Sequence, residues 1–204
     1  MSKLIVFILL TATTANAKTV LSWESNNPNN REWTEWTLAT INNNFESLNK
    51  AQDIKKFCPK YEQLNRAEQI NVWGELISQL AFHESGWKPT RQLTEMYLGV
   101  DYITGKTVVS EGLLQLSYCD IRWAKWCQFD WEKDKHNNGE TLTTIQDPKN
   151  NLQCGIGILA RQTEKYGAIV IEKGAYWSTL KAGHHSNKTE RIAKQIQSMI
   201  PQCK

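Results

Sequence analysis

Four stretches of the chain place apolar residues at helical spacing. Trp33, Trp36, Ile41, Phe45 and Leu48 fall along one face from Arg31 onward. Ile70, Trp73, Ile77, Leu80 and Ala81 form a second face, and Asn65 with Glu68 supplies an Asn-type capping box at its start. Leu152, Ile156, Leu159 and Thr163 form a third, opened by Asp147-Pro148 as N-cap and first helical residue and closed by Gly167. Gly155 and Gly157 inside it cost about 1 kcal/mol each in helix propensity, which implies close backbone packing. Ile192, Ile196 and Met199 form the fourth, ending at Pro201, with Asn187 and Glu190 repeating the Asn-type box. Ala175 to Leu180 reads as a short helix closed by Gly183.

Between Glu95 and Glu111 the period changes. Tyr97, Val100, Tyr102, Ile103, Thr107, Val108 and Val109 favour strands, and Thr104-Gly105-Lys106 supplies a turn. The expected fold class is mostly α, an α+β arrangement in which a helical domain carries one small β-hairpin. An aromatic-rich segment, Tyr118 to Trp131, follows the hairpin.

The first residues read as a targeting segment. Lys3, the apolar run Leu4 to Leu10 and Ala15-Asn16-Ala17 fit a signal peptide over 1–17, with export to the periplasm or the exterior. The run is too short to span a bilayer, and no other segment is long and apolar enough, so no membrane anchor is expected after cleavage. The 204 residues are 40% hydrophobic and 22% charged, enough for a proper core. A net charge of +3 is too small to argue nucleic-acid binding, but it suits an anionic surface such as a bacterial wall. Five cysteines, an odd number, leave at least one thiol unpaired in a monomer, the expected state. Cys119 and Cys127 are close enough to pair locally, Cys203 is placed to tie down the C-terminus, and the connectivity stays open. No His or Cys spacing suggests a metal site, no cofactor is implied, and Ser85 lacks the glycines of a nucleophile elbow.

The second helical pattern runs into Leu80 to Trp87 and stops at Gly86, with Pro89 close behind. Glu84 therefore lies near a helix C-terminus, with Phe82 and Trp87 as sequence neighbours. The negative end of the helix dipole and an apolar setting both disfavour a carboxylate charge. A carboxyl group held protonated near neutral pH is suited to donate its proton to a leaving group.

The order of segments adds to this. Glu84-Ser85-Gly86 is followed by Gly112-Leu113-Leu114-Gln115-Leu116, then Asn151-Leu152 with the spaced Gly155 and Gly157, then Ala175-Tyr176. This set resembles the lytic transglycosylase and goose-type lysozyme group of the lysozyme-like superfamily, over roughly Asn65 to Gly183. The resemblance implies a lysozyme-like catalytic domain over 63–204, preceded by an N-terminal helical extension over 18–62. It also implies that the hairpin forms part of a substrate cleft. The implied reaction is cleavage of the β-1,4 bond between N-acetylmuramic acid and N-acetylglucosamine in peptidoglycan glycan strands. Glu84 takes the role of general acid, and Ser85, Gly112, Leu114, Gln115 and Tyr176 line the cleft. Leu114 stands where the group usually has Met, and Trp177 where it usually has Asn. The second departure and the extra N-terminal helix leave room for a changed sugar preference, such as deacetylated or chitin-like chains.

Sugars stack their C–H faces on aromatic rings. Trp87 and Trp177, beside the motif segments, are the preferred platforms among 9 tryptophans, with Trp123 and Trp126 as wider candidates. A hydrolase also needs a second carboxylate, ~6.5–9.5 Å away if the reaction inverts. Glu95, Asp101 and Glu111 all lie in or beside the hairpin, and Glu111 is preferred because it adjoins Gly112. Without such a partner the substrate's N-acetyl group assists and an anhydro product results. Hydrolysis and transglycosylation both remain open at this point. A different class, a non-catalytic wall-binding protein on the same scaffold, fits the tryptophans and the mild positive charge equally well.

Overall fold

The computed structural model describes residues 19–204, so the expected signal peptide lies outside the described residues. Among the described residues the helices are α1 (Ser22–Asn26), α2 (Arg31–Asn43), α3 (Phe45–Leu48), α4 (Arg66–Ser85), α5 (Trp131–Asp134), α6 (Pro148–Tyr166) and α7 (Thr189–Met199), with short 3-10 turns in several of the connections. The protein is mostly helical with one small antiparallel sheet.

α4 is the axis. Every residue from Val72 to Ala81 is buried, so this helix is covered on all sides. α2 packs against both α4 and α6, α3 against α6, and α1 and α7 against α4. The N-terminal extension is thus continuous with the rest: Leu21, Trp23, Ile41, Phe45 and Leu48 share one core with Trp73, Leu80, Leu152 and Leu159. A buried carboxylate ties the two together. Glu75 accepts hydrogen bonds from the Ser22 N–H and hydroxyl and from the Gln79 amide.

The local signals that open and close the long helices act as expected. Asn65 and Glu68 form the reciprocal capping box of α4, and Gly86 ends it in the left-handed region. The Asp147 side chain accepts from Asn150 N–H at the start of α6, and Gly167 ends it. A Cβ at Gly155 would lie 2.4 Å from Leu114, and one at Gly157 would lie 2.2 Å from the Trp126 indole nitrogen. Those glycines are the close approaches their cost implied. The box at Asn187 does not form: α7 starts at Thr189, and the Asn187 amide reaches back to the Lys181 carbonyl. Ala175 to Leu180 is helical only as a 3-10 turn over Ser178–Leu180.

The hairpin is shorter and placed earlier than its residue types suggest. β1 (Gln92–Thr94) pairs with β2 (Val109–Glu111), with Gln92 opposite Glu111 and Thr94 opposite Val109. The strand-favouring residues from Tyr97 to Ile103 lie on the excursion between them. There Val100 bridges Thr107, and the Asp101 carboxylate accepts the N–H groups of Ile103 and Thr104. Met96, Tyr97, Leu98, Val100 and Tyr102 are exposed on it. Strand propensity acts only where a partner strand lies alongside.

Cys58 pairs with Cys203 and Cys127 with Cys154, leaving Cys119 free. The first bond pins the C-terminal turn, as its position suggested. The second joins the aromatic segment to α6 and excludes the local Cys119–Cys127 pairing. Two disulfides fit an oxidising compartment. Among the described residues no helix is long and apolar enough to cross a membrane.

Candidate functional site

Glu84 occupies the last turn of α4, where Ser85 is buried and donates its hydroxyl to the Ala81 carbonyl. One Glu84 carboxyl oxygen, Oε1, is buried and has no hydrogen-bond partner. Burial pushes the Glu84 pKa up to about 7; the Thr179 hydroxyl offsets part of the rise, and the charge on Glu95 adds to it. The expected source of the apolar setting was different. Phe82 is largely exposed and packs on Trp87 with ring centroids 4.9 Å apart. Residues two apart on a helix diverge by about 200° and do not share a face. Trp87 donates its indole N–H to the Ser78 carbonyl. With Ser22, Gln79, Phe82 and Gln195 it lines a separate pocket of about 310 Å³, to which Glu84 does not contribute.

Glu95 follows β1 directly. Its N–H bonds to the Val108 carbonyl, and the Ser110 hydroxyl donates to its carboxylate at 2.9 Å. It is half-buried within an otherwise exposed stretch from Arg91 to Val100. Glu111, at the end of β2, is placed differently. Its Oε2 accepts the Gln92 amide at 2.7 Å and the Gln146 amide at 3.0 Å. Burial raises its pKa, the two amides pull it back, and Asp134 is the like charge it feels. Glu111 lines a groove of about 450 Å³ with Asp101, Lys106, Tyr118 and Trp131. Of the three hairpin carboxylates, Glu95, Asp101 and Glu111, the one whose charge bears on Glu84 is Glu95.

The Gly112 to Leu116 segment is buried and is held by hydrogen bonds from α6. Gly112 has φ +81°, and a Cβ there would lie 2.3 Å from the Asn151 amide. Asn151 is fully buried, accepts the Leu114 N–H at 2.8 Å, and donates to the carbonyls of Glu111 and Ile145. Gln115 has φ +49°, and its amide donates to the carbonyls of Arg91 and Gly112. Leu114 is fully enclosed, and its carbonyl accepts the Trp177 indole N–H at 2.8 Å. Trp177 is only 3% exposed. A ring closed in on this scale has no free face, so Trp177 braces the Gly112 to Leu116 segment, and the expectation of a stacking platform is corrected.

Tyr176 stands over the neighbouring groove. Its phenol donates to Asp120, and its ring centroid lies 4.8 Å from Trp177 and 6.4 Å from Trp123. Trp123 is 38% exposed, with the Arg161 guanidinium 5.2 Å from its ring centre. The groove measures about 420 Å³ and is lined by Trp123, Arg161, Tyr166, Gly174 and Tyr176 among others. Trp123 and Trp126 are exposed to the same degree; Trp123 lines this groove, whereas Trp126 does not and its N–H is tied to the Cys154 carbonyl. Asp120 escapes sequence reasoning, because a lone Asp in an aromatic turn carries no motif. Among the described residues no cluster of three or more His, Cys, Asp or Glu is arranged to hold a metal ion.

No protein-family model matches the chain, and no curated protein matches it. Three solved structures do, all of DslA, a Bdellovibrio protein. The wild-type form is 29% identical with a TM-score of 0.73, and the match covers 91% of this chain and 98% of that one. The other two are Glu-to-Gln variants, 27% and 26% identical with TM-scores of 0.72 and 0.73, each covering 92% of this chain and all of the other. Their changes lie eleven positions apart in DslA. The chain is similar in fold and length to that protein.

Proposed function

We propose that the protein is an exported lysozyme-like glycosidase that hydrolyses the N-acetylmuramic acid to N-acetylglucosamine bond of peptidoglycan, with Glu84 as general acid. The observation that carries this is the state of Glu84. It is a partly buried carboxyl group with a buried, unpartnered oxygen and a pKa of about 7. Such a group holds a proton at neutral pH and has a free position from which to deliver it.

Glu95 takes the second role in place of Glu111. Glycoside hydrolysis needs one protonated and one ionised carboxyl group. Glu95 supplies the like charge felt by Glu84 and is not enclosed by two amides as Glu111 is. The DslA structures support this pairing, since Glu84 and Glu95 are also eleven residues apart. A carboxylate in that position favours hydrolysis over the N-acetyl-assisted route. Gly112, Leu114, Gln115 and Trp177 serve the substrate indirectly by fixing the Gly112 to Leu116 segment, while Tyr176 and Trp123 offer the surface to the glycan.

Purified sacculi incubated with the protein, followed by mass spectrometry of the released muropeptides, test the reading. Products with reducing ends are expected, and none from a folded Glu84→Gln variant. Anhydro ends would show transglycosylation. Binding to sacculi without soluble products would show a wall-binding protein.

A further inference from the structure

The pocket beside Trp87 is not part of the Glu84 site, and its lining has a chemistry of its own. Its volume of about 310 Å³ is near the lower end of the range for small-molecule sites. One wall is aromatic: the rings of Trp87 and Phe82 lie 4.9 Å apart with their planes at 52°. Trp87 has φ +59°, a left-handed conformation that bulky residues rarely adopt, and its indole N–H is fixed on the Ser78 carbonyl at 2.8 Å. Backbone strain of this kind gathers at ligand clamps. The other lining groups are hydroxyls and amides, from Ser22, Ser25, Asn26, Gln79 and Gln195, and none is charged.

Gln79 shows how these groups are set. It is 4% exposed, and its Nε2 donates to Glu75 at 2.7 Å, which fixes the amide orientation. Its Oε1 accepts no hydrogen bond from any described residue and yet is not sealed in, so it opens into the pocket that Gln79 lines. Ser22 matches it. Its N–H and its hydroxyl are both given to Glu75, so the hydroxyl oxygen is left only to accept. One buried carboxylate thus holds two side chains as acceptors beside an apolar wall.

We propose that this pocket is a second glycan-binding site, taking an uncharged N-acetylhexosamine unit with its C–H face on Trp87 and Phe82 and its hydroxyl and acetamido hydrogens donated to Gln79 and Ser22. An apolar ring face with donors at its rim complements two aromatic rings and two acceptors. A charged sugar would give up hydration on entry and find no counter-ion in the lining. Because Glu84 does not contribute to this pocket, a strand held here is anchored without occupying the acid. That use rests on the reading of Glu84; the binding itself does not.

Nitrogen-15 NMR of the protein titrated with N-acetylglucosamine, which has no glycosidic bond to cut, tests this. The Trp87 indole and Gln79 amide resonances are expected to shift saturably, with a Kd of about 10 mM or tighter. Trp87→Ala is expected to weaken binding at least tenfold, read on the Gln79 amide. N-acetylmuramic acid, which adds a carboxylate, is expected to bind at least tenfold more weakly than N-acetylglucosamine. A flat titration at Trp87 and Gln79, equal affinity for the two sugars, or undiminished binding by folded Trp87→Ala overturns the proposal. Should Trp87→Ala fail to fold, Phe82→Ala decides, since that ring is 46% exposed and stands outside the core. It is expected to weaken binding at least threefold, and unchanged affinity overturns the proposal. Shifts confined to the Trp123 indole also overturn it and leave the reading of Glu84 intact. Saturable shifts at Trp87 without cleavage of sacculi support the pocket and count against the enzymatic reading alone.

Discussion

Glu84 at the end of α4 and Glu95 just past β1 are coupled: the negative charge on Glu95 opposes ionisation of Glu84, adding to the effect of burial. On the proposed reading, an acid at the end of a central helix and a carboxylate on a hairpin serve one reaction. The consequences are measurable in stability, in titration and in turnover.

Glu84 binds its proton more tightly in the folded protein, with a pKa of about 7 against an ordinary value of 4.5. The resulting stabilisation is fully present below pH about 4.5 and is lost as pH rises through about 7. Full ionisation removes roughly 3 kcal/mol. Glu84→Gln, which does not titrate, is expected to gain on the wild type by about that amount between pH 4 and pH 8. Urea denaturation of both proteins at the two pH values checks this, and an unchanged difference would refute it.

Glu95→Gln removes the like charge and lowers the Glu84 pKa, so the alkaline limb of the activity profile moves to lower pH. Hydrolysis falls by about two orders of magnitude or more if Glu95 activates the attacking water. Glu111→Gln keeps the contacts with Gln92 and Gln146 largely in place and is expected to retain most activity. The reverse ranking in a sacculus-digestion assay would return the second role to Glu111.

Trp177 and Trp123 separate a support from a surface. Trp177→Ala deletes an enclosed ring and strands the Leu114 carbonyl, and it should cost about 3–5 kcal/mol in unfolding free energy. Trp123→Ala removes a half-open ring, with a loss of about 1 kcal/mol or less, but it should weaken glycan binding severalfold. Denaturation and sacculus pull-down on the two variants distinguish the roles. A stable Trp177→Ala with lost binding would restore Trp177 as a platform.

The two disulfides close loops of very different length, with sequence separations of 145 and 27. Loop-closure entropy assigns about 5 kcal/mol to Cys58–Cys203 and about 3.5 kcal/mol to Cys127–Cys154. Paired Ser substitutions at each should reproduce that order in denaturant midpoints. Cys119→Ser, at the free thiol, should leave the midpoint within about 0.5 kcal/mol.

Much of this protein is written in local signals. The helical spacing around Trp73 and Leu80, the box at Asn65 and Glu68, the Asp147-Pro148 start and the Gly86 and Gly167 stops all act within a few residues, so they are legible without the fold. Glu84 at a helix end is legible for the same reason. The hairpin misleads because strand propensity is expressed only opposite a partner, and Tyr97 and Tyr102 have none.

Everything that depends on residues far apart in the chain was decided by packing. Gln92 and Gln146 claim Glu111 and leave Glu95 for Glu84, and they lie 19 and 35 residues from the carboxylate they hold. Trp177 faces inward because Leu114, 63 residues away, offers a buried carbonyl. Asp120 gains meaning only when Tyr176, 56 residues on, turns its phenol toward it. Cys154 reaches Cys127 because α6 passes beside the aromatic segment. Helix spacing and caps depend on neighbours along the chain, and so does the placement of an acid at a helix terminus. Burial, pairing and the partner of a hydrogen bond depend on neighbours in space, and those exist only after the chain has closed its core.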